Sequence, residues 1–296
     1  MRIVRRIKGN KAYYYLQHSF RKEGKVVTKE QYLGKDIPKN VVEEEKRFLE
    51  VCKKNSIFTL FERIQKAYEK EGKTYPASMK EKIREQLIIE FTYNTNAIEG
   101  SSISKEETQE LIEHHIAPHK PLRDVKESET HATLFFEVYE KHEQPLSIAI
   151  LLEWHRCLFS ETKEDIAGKF RQHRIRVGLY VAPDWQDVEQ LMHDLFVFYH
   201  NNKKKMHPVE LAARMHYQFE KIHPFSDGNG RAGRILMNYI LLQNKYPLLI
   251  IEYKKRKSYY HALQKQENDF LIYFARRYVN THKRYLKKQK ERKDLF

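Results

Sequence analysis

The stretch His223-Pro224-Phe225-Ser226-Asp227-Gly228-Asn229-Gly230-Arg231-Ala232-Gly233-Arg234 lies between two helical patterns. Pro224 and Gly228 stop the first helix, and a second begins near Gly230. A glycine-bracketed loop that opens a helix is an anion site. Its backbone N–H groups lack intrahelical partners, and the helix dipole favours negative charge. Glycine also lets the main chain approach a phosphate closely. Arg231 and Arg234, three apart, fall on one helix face and offer forked donors suited to phosphate oxygens. Asp227 is a hard oxygen ligand suited to Mg²⁺. His223 is the one group in the stretch that takes a proton near pH 7. The stretch thus holds the parts of a nucleotide-dependent transfer.

Outward from the loop, helical spacing dominates. The periodicity predicts helices at Val41 to Lys54, Phe58 to Lys70, Met79 to Tyr93, Val125 to Lys141 and Ser147 to Phe159. Others are predicted at Asp187 to Asn201, His207 to Ile222, Arg231 to Gln243 and Tyr259 to Leu286. Ser104 and Glu107 form a capping box that opens one more. Gly168 to Ala182 breaks the rhythm by alternating basic and apolar residues, and reads as a short hairpin. The first 36 residues read as a small meander: Gly9-Asn10 marks one turn, and Arg21 to Lys25 with Gly24 another.

The chain has 296 residues, 55 of them Lys or Arg and 40 Asp or Glu. The net charge of +15 sits in the ends: +8 over residues 1–40 and +9 over 251–296, against −2 between them. Basic strands carrying Tyr13 to Tyr15 are suited to nucleic acid or an acidic partner, or else pack their aromatics and solvate their lysines. Two cysteines, Cys52 and Cys157, exclude a disulfide scaffold and a cysteine zinc site. Ile235 to Leu242, an apolar run, falls short of the roughly 18 residues that span a membrane. The basic N-terminus lacks the apolar stretch of a signal peptide. A cytoplasmic protein without a membrane partner is the expectation.

The loop resembles the Fic-domain motif, His-x-Phe-x-Asp/Glu-Gly-Asn-Gly-Arg-x-x-Arg, and matches it at every fixed position. The resemblance, which extends over roughly residues 80–280, implies a mainly α fold: a Fic-type helical core with a short β-hairpin flap, preceded by the β meander. The expected divisions are 1–40 for the basic meander and 41–116 for a helical region with an inhibitory motif. Residues 117–250 are then the catalytic core, and 251–296 the C-terminal helices and basic tail.

Most Fic proteins transfer AMP from ATP to a hydroxyl side chain of a protein and release pyrophosphate. The resemblance makes His223 the general base and Asp227 the ligand of Mg²⁺ (or Mn²⁺). Gly228, Asn229 and Gly230 become the anion hole, Arg231 the clamp on the α/β-phosphates and Arg234 that on the γ-phosphate. Relatives that phosphorylate with a reversed nucleotide typically carry Lys in place of Gly230, so this glycine favours adenylylation. Gly168, Arg171 and Val177 look like the flap, with Arg174, Ile175, Arg176 and Val177 as the edge that clamps a target protein. Trp185 is expected near it. Tyr260 and Asn268 resemble adenine contacts.

Upstream, Thr95-Asn96-Ala97-Ile98-Glu99-Gly100 resembles the family's inhibitory motif, with Thr95, Glu99 and Gly100 at its fixed positions. A Glu99 carboxylate paired with Arg234 would withhold that arginine from ATP. In some relatives the same glutamate positions a water that removes AMP again, so this sequence also contains the parts for the reverse reaction. The expected partners are ATP and a target protein bearing a Ser, Thr or Tyr hydroxyl, with a homodimer left open. The alternative is a binding module for nucleic acid or an acidic protein, whose Fic core uses another nucleotide or is silent.

Overall fold

The computed structural model describes residues 1–22 and 25–287. The second predicted turn of the meander, at Glu23 and Gly24, and the end of the Lys-rich tail lie outside these residues.

The chain divides into two compact units. One comprises Met1–Lys66 and Tyr285–Phe296, the other Ala67–Arg284. In the first, β1 (Arg2–Lys8), β2 (Lys11–Lys22) and β3 (Lys25–Gly34) form an antiparallel sheet in the order β1-β2-β3. Its register runs from Arg2 opposite Gln17 to Lys8 opposite Lys11, closing on the Gly9-Asn10 turn. Side chains alternate across the strand. Leu16 is fully buried against Phe48 and Cys52, with a partly buried Leu33 packed beside them. Tyr13 and Tyr15 lie on the opposite face, where both rings meet Tyr32.

Helix α1 (Val41–Thr74) runs unbroken through the region that the sequence divides at Asn55 to Ile57. No glycine or proline interrupts it there, and Ser56 bonds back to the Cys52 carbonyl at 3.1 Å, which accommodates its hydroxyl within the helix.

In the second unit, α2 (Ala77–Ile98), α3 (Lys105–His114), α4 (Leu122–Glu140) and α5 (Ile148–Phe159) precede the hairpin β4 (Arg176–Val177) and β5 (Tyr180–Val181). Then follow α6 (Val188–Asn202), α7 (Pro208–Ile222), α8 (Asn229–Gln243), α9 (Arg256–Gln264) and α10 (Glu267–Thr281); α11 (Lys283–Lys287) lies where the chain passes back into the first unit. Helix α8 is buried along nearly its whole length, which explains its apolar run from Ile235 to Leu242. The capping box of α3 is present, with both Ser104–Glu107 bonds made.

Two boundaries differ from expectation. Helix α2 continues five residues past Tyr93, because the polar side chain of Asn94 is absorbed: it donates to the Glu90 carbonyl at 2.8 Å and accepts from the Tyr253 N–H at 2.8 Å. The predicted helix Tyr259 to Leu286 is broken into three. Lys265 and Gln266 are extended, and Tyr217 takes the Lys265 carbonyl at 2.7 Å, so tertiary bonding overrides an uninterrupted helical pattern. Among the described residues, no helix is long and apolar enough to cross a membrane.

Candidate active site

Helix α7 ends at Ile222, and His223 adopts the left-handed conformation with φ 52°. A non-glycine residue there costs about 1–2 kcal/mol and needs support. Arg171 supplies it. Its side chain is 2% exposed and its fork binds carbonyls: His223 at 2.8 Å, His173 at 2.8 Å and Pro183 at 2.7 Å. Its own N–H donates to the Pro224 carbonyl at 2.9 Å.

The loop is pinned at two more points. The Asn229 side chain accepts from the Phe225 N–H and donates to the Phe225 carbonyl, both at 2.8 Å. His155 accepts from the Gly168 N–H at 2.9 Å through Nδ1, so its Nε2 carries the proton given to the Asp227 carbonyl at 3.0 Å. Burial pushes the His155 imidazole down to about 4, so it stays neutral and keeps this tautomer. Its ring stacks on Phe225, with centroids 3.8 Å apart. Gly228, at φ 76°, has no room for a side chain: a Cβ would stand 2.3 Å from the Phe159 ring.

The His223 imidazole has the geometry of a proton acceptor. Its Nδ1 lies 3.3 Å from the Glu220 carbonyl, which only accepts, so Nδ1 holds the proton and Nε2 presents a lone pair. Burial lowers its proton affinity and keeps it neutral at pH 7.

Arg234, 1% exposed, is held by α2. Its Nε donates to Thr95 Oγ1 at 2.6 Å, and its Nη2 to Glu99 Oε1 at 2.7 Å. Thr95 and Glu99 are four apart and share one face. Gly100 turns the chain away at φ 96°. Gly230 makes room for this pair, since a Cβ there would lie 2.2 Å from Glu99 Oε1. On the Gly233 side of Arg234 lies a buried trio, Glu220, His216 and Tyr259. Burial raises the Glu220 carboxyl to about 7, with Arg234 opposing and Glu99 reinforcing the shift. Its Oε1 has no hydrogen-bond partner among the described residues and lies 4.0 Å from His216 Nδ1. His216 Nε2 meets the Tyr259 hydroxyl at 2.8 Å.

A second charge network lines the same cleft as Glu99. Asp227 Oδ2 pairs with Lys163 at 2.5 Å, and Oδ1 accepts from the Gly228 N–H at 2.6 Å. Glu127, on α4, takes Lys163 at 3.1 Å through Oε1 and Arg231 at 2.5 Å through Oε2. Both cations lie over the Phe159 ring, at 4.8 and 4.6 Å. Burial raises the Asp227 carboxyl, but the Lys163 hydrogen bond and Arg231 outweigh it and hold it below the usual range. The described residues contain no cluster of three or more His, Cys, Asp or Glu able to hold a metal. One carboxylate nevertheless suits Mg²⁺, which takes most of its ligands from phosphates and water, and Asp227 fits that role.

The structure brings His223, Asp227, Gly228 to Arg231, Arg234, Thr95, Glu99 and Gly100 together. The hairpin carrying Arg174, Ile175, Arg176 and Val177 is anchored beside the loop by Tyr180, whose hydroxyl donates to the Lys221 carbonyl at 2.8 Å. Arg174 pairs with Asp184, while Arg176 and Val177 are exposed. The Tyr260 hydroxyl bonds the Ile98 carbonyl at 3.2 Å, at the end of α2. Asn268 is exposed in the first turn of α10, with no hydrogen bond to the loop among the described residues. Sequence reasoning missed Glu127, His155, Lys163 and Glu220. Of these only Glu220, one helical turn before His223, carried a positional signal.

Residues 145–241 match the Fic/DOC family. The chain is 32% identical over 215 residues to Protein adenylyltransferase fic-1 of Caenorhabditis briggsae, spanning 70% of this chain and 42% of that one. It is 31% identical over 226 residues to Protein adenylyltransferase Fic of Nematostella vectensis, spanning 73% and 52%. The chain thus spans about half the length, or less, of these curated relatives. Among solved structures, Fic-1 of Caenorhabditis elegans has a similar fold, with a TM-score of 0.69, 24% identity and coverage of 86% of this chain and 78% of that one. A Fic domain containing signaling protein from Bacteroides thetaiotaomicron gives 0.68 and 22%, covering 77% and 97%. The loop, the helical core and these relatives agree that residues 145–241 of the chain form a Fic domain.

Proposed function

We propose that this chain is an autoinhibited protein adenylyltransferase that moves AMP from ATP to a Ser, Thr or Tyr hydroxyl of a target protein or of itself. The N–H groups of Asn229, Gly230 and Arg231, in the first turn of α8, face no intrahelical acceptor and suit phosphate oxygens. Asp227 would hold Mg²⁺ (or Mn²⁺), which when bound neutralises charge on the phosphates. His223 Nε2 takes the hydroxyl proton as the oxygen attacks the α-phosphorus. The bond to the β-phosphate breaks and pyrophosphate leaves. Catalysis by this chain is then positioning and fixed charge.

The observation that carries the autoinhibited reading is the Arg234–Glu99 ion pair. A carboxylate there occupies the arginine and repels a phosphate. The same Glu99, beside a neutral His223, is also suited to orienting a water for AMP removal. The exposed edge of β4 suits strand addition by a target segment. Docking of nucleic acid on residues 1–40 has less support, because Arg2 and Arg6 are already bonded to Gln17 and Glu30 within the sheet.

The test is labelling with α-³²P-ATP and Mg²⁺ of wild type, Glu99→Gly and His223→Ala. Label should rise several-fold with Glu99→Gly and vanish with His223→Ala. A folded Glu99→Gly variant that binds ATP yet takes no label, or a His223→Ala variant that labels as wild type does, would sink the reading. Release of AMP from labelled target by wild type, absent in Glu99→Gly, would add the reverse reaction.

A further inference from the structure

Two carboxylates, Asp227 and Glu127, face each other across Lys163. Their four oxygens are all engaged: Asp227 by Lys163 and the Gly228 N–H, Glu127 by Lys163 and Arg231. Lys163 and Arg231 balance the two negative charges. A divalent cation at Asp227 would therefore enter a neutral set and face the Lys163 ammonium at contact distance.

The two resident cations differ in mobility. The Arg231 side chain is 4% exposed and locked in α8, whereas that of Lys163 is 22% exposed at the cleft. Lys163 follows α5 in a turn whose backbone is fixed: its N–H donates to the Phe159 carbonyl at 2.8 Å, and its own carbonyl accepts from Ala167 at 3.1 Å. The flexible four-carbon stem can swing out from this fixed base without disturbing the loop.

We infer that Lys163 is a built-in counter-cation that occupies the Asp227 carboxylate and must be displaced before a divalent metal binds there. It is a positioning residue that sets how much metal the site demands. This rests on Asp227 being the metal ligand. It makes the metal a second requirement for activity, separate from Glu99, because the Lys163–Asp227 contact and the Glu99–Arg234 contact share no atom.

The test is Mn²⁺ binding to the full chain, followed by loss of the free-ion electron paramagnetic resonance signal. Lys163→Met keeps the length of the stem and removes its charge. It should bind Mn²⁺ at least tenfold more tightly than wild type, equivalent to about 1.4 kcal/mol, and adding Asp227→Asn should abolish the gain. Lys163→Arg should behave as wild type. Equal affinity in wild type and Lys163→Met, both lost with Asp227→Asn, would overturn the role of Lys163 and leave Asp227 as the ligand. Binding unaffected by Asp227→Asn, or no binding in Lys163→Met, would overturn both. An independent readout needs no variant: acylation of the Lys163 amine in wild type, mapped by mass spectrometry, should rise when Mn²⁺ is added. An unchanged rate under saturating Mn²⁺ would equally reject displacement.

Discussion

Glu99→Gln separates the ion pair from the chemistry. The variant keeps the shape of the side chain and leaves Arg234, 1% exposed, without its ionised partner. Breaking a buried pair costs about 3–5 kcal/mol. Here the Glu99 side chain is 28% exposed, and the two Thr95 bonds to Arg234 survive. Glu220 also ionises more readily once Glu99 no longer reinforces its proton. These discounts leave about 2 kcal/mol, or a fall in melting temperature of roughly 4–8 °C for a unit of this size. On the autoinhibited reading proposed above, wild type breaks the same pair before a phosphate reaches Arg234. The variant should therefore bind ATP about 30-fold more tightly, the same ~2 kcal/mol. Thermal melts with and without saturating ATP close the cycle: the variant melts lower alone, and the gap disappears with nucleotide. A gap that persists unchanged at saturating ATP would refute the competition between Glu99 and phosphate.

Glu220 gives a pH signature. Its folded carboxyl titrates near 7, above the unfolded value of 4.5, so its stabilisation is complete below pH 4.5 and is lost as pH rises through 7. The loss is on the order of 3 kcal/mol. Glu220→Gln should melt close to wild type at pH 5 and several degrees higher at pH 8; a constant difference over that range refutes it. Gly230→Ala gains about 1 kcal/mol of helix propensity but pushes Glu99 off Arg234, since its Cβ would lie 2.2 Å from the carboxylate. Its melting temperature should fall and its ATP affinity rise, and a simple gain in stability would show that the pair survives. Arg171→Lys cannot serve three separated carbonyls and should lose roughly 2–4 kcal/mol in denaturant unfolding; a loss below about 1 kcal/mol would mean that water replaces the fork.

The loop from His223 to Arg234 was legible because its signals are local: a proline, bracketing glycines and charged residues within one turn of each other. The helices were legible where an apolar stripe repeats, as in α7 and α8. Lys163 and Glu127 were not legible. Their partners lie 64 and 104 residues away, and nothing in the composition near Lys163 announces a carboxylate across the cleft. His155 and Arg171 support the loop through backbone carbonyls, which leave no trace in side-chain pattern. The break between α9 and α10 was hidden for the same reason: it depends on a tyrosine hydroxyl from α7 rather than on glycine or proline.

Glu99 stands at the C-cap of α2, and the last turn of that helix carries no basic residue. A helix ends in a partial negative charge, which disfavours an anion there by about 0.3–1 kcal/mol. The carboxylate is thus repelled by the helix that presents it and kept in place by Arg234 across the cleft. Once an incoming anion satisfies Arg234, the field of its own helix drives Glu99 outward. On the autoinhibited reading, the Arg234–Glu99 pair is a latch under outward load.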